Sequence, residues 1–236
     1  MRPVVFAGPS IFGLDQAGLD LDFRPPASSG DLLAAVREGA ATIGLIDGLY
    51  GDCAAVWHKE ILHALSKGVR VLGAASMGAL RAAECVSFGM VGVGRIFEAY
   101  RDGERFSDAD VAVTHAPAEL GYRPLSVALV DAQATLASVS DMFHADEIAV
   151  LLDAARSVHF SQRTWRSVVL SAGLGADHLH VLKSNAISVK RQDAEQLLNV
   201  LAMGDLTPQA PGTWNFQNTI FFQELLKRSP SLDENR

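Results

Sequence analysis

The sequence predicts an α/β fold, with a parallel sheet and its helices in the N-terminal half and a mainly helical C-terminal half. Three observations predict it. Val4–Ala7, Ala41–Ile46 and Val69–Ala75 are short runs apolar on both faces, as strands buried between two helical layers must be. Helical patterns alternate with them, the order of a parallel βαβ sheet. Beyond Gly103 the apolar residues recur every three and four positions, the period of helices.

Taken in order, the first strand stops at Gly8-Pro9-Ser10, residues that favour turns. A weaker strand, Leu19–Phe23, ends at Pro25-Pro26. Ser28 or Ser29 can cap a helix over Asp31–Glu38, closed by Gly39. The strand Ala41–Ile46 gives way at Asp47-Gly48, and a helix over Ala54–Lys67 closes at Gly68. Val69–Ala75 runs through Ser76-Met77-Gly78 into a helix over Ala79–Ser87, ended by Gly89. Asp108–Val113 reads as a short strand; Leu125–Val139, Ala145–Val158, Gln162–Ala172 and Gln192–Met203 read as helices. Thr207–Thr213 reads as a linker to an aromatic helix carrying Trp214, Phe216, Phe221 and Phe222, followed by a frayed polar tail. The expected organisation is an α/β domain over 1–124 with a strand-end active site, a helical layer or cap over 125–204, and linker, aromatic helix and tail over 205–236.

Composition narrows the function. The 236 residues are 49 % hydrophobic, enough for a sizeable core, and the net charge of −7 argues against a protein that lives on phosphate contacts to nucleic acid. Cys53 and Cys85 alone build neither a disulfide framework nor a four-cysteine zinc site, and suit a reducing cytosol. No apolar run reaches the roughly 18 residues of a membrane span. The first residues read directly into a strand, without a signal peptide. A cytoplasmic protein with no nucleic-acid or membrane partner is expected. The histidines lack zinc spacing, with His178 and His180 reading as surface residues. Gly89, Gly92 and Gly94 fall in the wrong order for a dinucleotide loop. No metal or cofactor is therefore expected.

In parallel α/β sheets ligands bind beyond the carboxyl ends of the strands. Three such ends carry small or polar residues: Gly8-Pro9-Ser10, Asp47-Gly48 and Ser76-Met77-Gly78. Ser76 sits on a strand–turn–helix junction that resembles a nucleophile elbow, although Ala74 replaces the first glycine of G-x-S-x-G. The competing reading is a serine capping the helix. Arg81 lies in the first turn of that helix, where a cation opposes the helix dipole. It serves either a substrate carboxylate or an ion pair with Glu84. In Val56-Trp57-His58-Lys59-Glu60, Trp57, Ile61 and Leu65 form an apolar stripe, and His58 lies about 100° round from Trp57. Lys59 lies away from the stripe, either as a solvated lysine or as a base whose stem reaches over the strand ends. A lysine held neutral by desolvation can deprotonate a serine. Lys190 opens a later helix and reads as a surface lysine.

At these residues a resemblance emerges. Gly8-Pro9-Ser10, Ile43-Gly44-Leu45-Ile46-Asp47-Gly48, Val56-Trp57-His58-Lys59-Glu60-Ile61, Gly73-Ala74-Ala75-Ser76-Met77-Gly78-Ala79-Leu80-Arg81-Ala82 and Gly121-Tyr122-Arg123-Pro124-Leu125 resemble the TfuA-like family. The likeness runs from residue 4 to about residue 137. TfuA proteins accompany YcaO enzymes in peptide backbone thioamidation. The resemblance implies a thiohydrolase that releases sulfide from the C-terminal thiocarboxylate of a ThiS-like, ubiquitin-like sulfur-carrier protein. YcaO enzyme and precursor peptide are the other implied partners. It implies a Ser–Lys pair, best matched by Ser76 and Lys59, with Ser10 and Lys190 in reserve. Amides of Met77 and Gly78 would then face the oxyanion, with Arg81, Ser10, Asp47 and His58 around the substrate. Glycines and alanines over 73–79 would leave room for a diglycine tail. The rivals are a non-catalytic adaptor, docking peptide or carrier onto YcaO through the aromatic helix, and a phosphate-binding protein using the glycine-rich turns; the aromatic helix reads equally as one folded back on its own core.

Overall fold

The computed structural model describes residues 2–49, 51, 53–203 and 214–228. Five parallel strands, β1 (Val4–Phe6), β2 (Asp22–Arg24), β3 (Thr42–Leu45), β4 (Arg70–Ala74) and β5 (Val91–Val93), form one sheet in the order β2-β1-β3-β4-β5. Val5 of β1 lies opposite Phe23 of β2 and Gly44 of β3, and Leu72 of β4 opposite Gly44 and Val91. The order reverses between β1 and β3. Chain segments therefore leave these two strands in opposite directions, opening a crevice at their carboxyl ends.

The helices are α1 (Asp31–Arg37), α2 (His58–Ser66), α3 (Met77–Cys85), α4 (Arg95–Arg101), α5 (Leu129–Ser138), α6 (Ala145–Ser157), α7 (Trp165–Ser171), α8 (Ala176–Ser184), α9 (Val189–Met203) and α10 (Ile220–Arg228). Leu32, Ile61, Ala64, Ala79 and Ala82 of α1–α3 pack with Phe6, Ile43 and Val71 on one face of the sheet. The other face is closed from far along the chain, where Ala194, Leu197, Leu198 and Leu201 of α9 meet Val5, Leu72 and Ala74. Helices α5–α8 share a separate cluster around Leu136, Leu151, Val168 and Leu182. Among the described residues no helix is long and apolar enough to cross a membrane.

Several elements differ from the sequence expectation. Asp108–Val113 is not a strand: Asp108–Asp110 forms a 3-10 turn leading into buried Val111 and Ala112. β5, α4 and α8 are additional. β5 escapes a periodicity search because its three residues centre on Gly92, where the Phe97 ring fills the space a side chain would need (2.1 Å from an added Cβ). Helix α2 begins at His58, so Trp57 is its N-cap residue and stays 39 % exposed while Ile61 and Leu65 are buried. The Thr207–Thr213 linker and the last eight residues lie outside the described residues.

The aromatic segment turns inward. Phe222 is buried, and its ring and that of Phe216 flank His63 of α2 at 5.3 and 5.5 Å between centroids. Trp214 Nε1 donates to the Phe88 carbonyl (3.0 Å) and its ring meets Phe88 edge-on. Of the two readings of this segment, docking or folding back, three of the four aromatics follow the second and pack on this chain's own residues, and Phe221 alone of the four points outward. Phe222→Ala is expected to cost about 3 kcal/mol, by loss of burial and a residual cavity. Phe221→Ala should leave the melting temperature unchanged. Thermal melts of both variants check the pair, and equal effects would contradict the inward packing.

Candidate active site

The turn between β4 and α3 is built under constraint. Ala75 adopts φ = 67°, a left-handed conformation that costs a residue with a side chain roughly 1–3 kcal/mol. Ser76 N donates to the Ala74 carbonyl at 2.8 Å, closing a γ-turn around Ala75. Gly78 N donates to the Ile46 carbonyl (3.2 Å), and a Cβ on Gly78 would fall 1.8 Å from the Leu45 oxygen. Only glycine allows α3 to approach β3 this closely, and that approach holds the turn. Ser76 is the N-cap residue of α3 but makes no side-chain cap bond. The capping expectation therefore fails. The Ser76 hydroxyl has no hydrogen-bond partner among the described residues, and the residue is 7 % exposed. It lines two clefts, of about 680 and 270 Å³.

The amides at this turn divide differently from the sequence expectation. Gly78 N is committed to Ile46 and faces no cleft ligand. Met77 N, at the first helical position, remains as a donor for a developing oxyanion. The glycines and alanines over 73–79 are buried, and none of them lines either cleft. Room in the larger cleft comes instead from Gly48, Gly51 and Ala112.

Asp47 organises the neighbouring turn. Its Oδ2 accepts from Gly8 N (2.9 Å) and Ser10 N (3.0 Å), and its Oδ1 accepts from Ser10 Oγ (2.7 Å). Ser10 is thereby a fixed partner of Asp47, and the amides a phosphate would need already hold a carboxylate. The phosphate-binding reading loses its site. Asp47 also lines the larger cleft with Ser76.

Lys190 corrects the sequence reading most sharply. It is buried, not on the surface, and Nζ donates to the Val111 carbonyl at 2.7 Å. Burial pushes its pKa down, and the charges of Asp47 and Asp131 oppose that shift without cancelling it. Burial likewise pushes Asp131 up; it accepts from Ser188 Oγ (2.8 Å) and Lys190 N (3.1 Å). Val111 lines the smaller cleft and Ala112 the larger, so the buried amine lies directly behind the wall both share with Ser76.

Lys59 is placed elsewhere. Its Nζ donates to the Gln217 carbonyl (2.7 Å) and stands 5.1 Å from the Phe216 ring centre. The burial beneath the helical half that a neutral base requires is found at Lys190 instead. His58 and Arg81 both bind Glu84 Oε2 at 2.7 Å, and Arg81 Nε donates to the Val56 carbonyl (3.1 Å). The Glu84 pairing explains Arg81, which still edges the smaller cleft beside Ser76 and Met77. His180 is exposed as expected, but His178 is half-buried, stacked on Phe143 and bound to Glu147. Among the described residues no cluster of three His, Cys, Asp or Glu side chains is arranged to hold a metal.

Two cleft residues carried no sequence signal. His115 and exposed Cys53 line the larger cleft with Ser76, brought there by loops distant in sequence. Cys85 is buried, and burial, aided by Glu84, pushes its thiol up to about 11. Maleimide is therefore expected to label Cys53 and spare Cys85 in the folded protein, since only the thiolate reacts. Peptide mass mapping checks this, and labelling of both thiols at similar rates would contradict the burial of Cys85.

No curated protein matches the sequence. A family model described as TfuA-like protein matches residues 47–164, half of the chain, spanning the turn of Asp47, the whole of α2 and α3, and the loop of His115. With its strand-end motifs in place around Ser76, the chain belongs to the TfuA-like family.

Proposed function

We propose that the protein is a thiohydrolase that releases sulfide from the C-terminal thiocarboxylate of a ubiquitin-like sulfur-carrier protein, in support of YcaO-catalysed peptide backbone thioamidation. One observation carries the reading: a serine hydroxyl without a hydrogen-bond partner among the described residues, held by a strained turn at the carboxyl edge of a parallel sheet, with a buried lysine behind the same wall. Family membership supplies the link to YcaO chemistry, and the resemblance of the strand-end motifs supplies the thiocarboxylate.

Ser76 Oγ attacks the thiocarboxyl carbon while neutral Lys190 takes its proton. Met77 N stabilises the oxyanion. The carbon–sulfur bond then breaks, sulfur leaves as hydrosulfide after receiving the proton from Lys190, and the carrier stays as an ester on Ser76. Water hydrolyses that ester to give the carrier carboxylate.

The test uses the purified chain with a carrier ending in Gly-Gly-thiocarboxylate, without YcaO or ATP. Released sulfide and conversion of thiocarboxylate to carboxylate, followed by mass spectrometry, are expected. Tight binding of the carrier with its thiocarboxylate intact would overturn the reading in favour of a non-catalytic adaptor.

A further inference from the structure

The string Gly121-Tyr122-Arg123-Pro124-Leu125 plays no part in the Ser76 turn, yet it is built with care. His115 and Pro124 form an antiparallel bridge; Ala116 N donates to the Arg123 carbonyl and Leu125 N to the Thr114 carbonyl, each at 2.8 Å. Ser126 Oγ accepts from Thr114 N at 2.8 Å. Gly121 and Tyr122 both take positive φ, 63° and 58°, to make the reversal, and a non-glycine residue in that region is under strain. The product of this strap is one fixed side chain. The His115 ring meets the Tyr122 ring edge-on at 5.7 Å, and Nδ1 lies 2.8 Å from the Ala116 carbonyl oxygen.

A carbonyl oxygen only accepts, so Nδ1 carries the hydrogen, and in the neutral form of the ring Nε2 is the acceptor. Nε2 has no partner among the described residues, and His115 lines the same cleft as Ser76 and Asp47. A histidine oriented through Nδ1, with Nε2 open and lining the cleft of a nucleophilic serine, has the makings of a general base.

We propose that His115 is a catalytic base for the second half of the reaction, hydrolysis of the acyl-serine; this rests on the thiohydrolase reading above. Nε2 takes a proton from water as the water oxygen bonds to the ester carbon. The bond to Ser76 Oγ breaks, and Nε2 returns the proton to that oxygen. The carrier departs as its carboxylic acid and ionises in solvent. The division of labour is physical: Lys190 behind the wall serves the serine proton, whereas attacking water must enter from the open cleft, where His115 stands.

The test is rapid-mixing sulfide release by the full chain from thiocarboxylated carrier. His115→Asn can retain the donation to the Ala116 carbonyl but has no Nε2, and His115→Ala removes the ring. Both are expected to release about one sulfide per chain in a burst and then turn over on the order of 10²-fold or more slower than the unmodified protein. Carrier should accumulate on Ser76, and added imidazole should restore turnover of His115→Ala. Steady turnover within a few-fold of the unmodified protein, or loss of the burst together with turnover in both variants, overturns the role of His115 alone. Absence of sulfide from the unmodified protein overturns the thiohydrolase reading and this inference with it.

Discussion

Ser76→Ala is expected to reduce sulfide release by on the order of 10³-fold or more, because loss of a nucleophile removes the covalent route. The same variant should melt within about 0.5 kcal/mol of the unmodified protein. The second expectation follows from the turn: the Ser76 hydroxyl makes no cap bond, so alanine loses nothing that holds α3. A helix-capping serine would instead cost about 1 kcal/mol on replacement and leave chemistry untouched. Sulfide assay and thermal melt together separate the two roles. Residual activity within a few-fold of the unmodified protein would remove Ser76 from the mechanism.

Lys190→Met is expected to lower the rate by on the order of 10²- to 10⁴-fold, the usual worth of a positioned base. The methionine keeps much of the buried volume. Asp131 keeps Ser188 Oγ and the amide of residue 190, and Asp47 keeps Gly8 and Ser10, so neither carboxylate is stripped of its hydrogen bonds. The fold should therefore survive, which circular dichroism checks. In the unmodified protein the rate should rise as pH passes through the Lys190 pKa, which burial places below the ordinary lysine range. The sign is fixed because the neutral amine is the active form. Lys59→Arg is the control: with its Nζ engaged by Gln217, that position should tolerate the change. An inactive Lys59→Arg beside an active Lys190→Met would reverse the assignment.

The sheet was legible because its strands are buried on both faces, so Val4–Ala7 and Val69–Ala75 stand out as apolar runs. The sharp turn at Ser76 was legible for a related reason, since a strand that ends in small residues and runs directly into a helix has no room for a loop. What escaped depends on distant contacts. Lys190 sits among Arg191, Gln192 and Asp193, and nothing local reveals that Val111 and Asp131 enclose it. His115 and Cys53 enter the cleft on irregular segments, where no period betrays which way a side chain faces. The aromatic segment left two readings open, docking a partner or folding back on the core, because composition alone fits both; Phe216 and Phe222 cover His63, so the segment closes the chain's own core.

If the carrier passes through an ester on Ser76, that ester can be trapped. The full chain is mixed with carrier ending in Gly-Gly-thiocarboxylate, quenched in acid within the first turnover and digested, and its peptides are mapped by mass spectrometry. A carrier remnant is expected on the peptide containing Ser76 and none in Ser76→Ala. A remnant on the peptide containing Cys53, or carrier carboxylate formed while the Ser76 peptide stays unmodified, would contradict it.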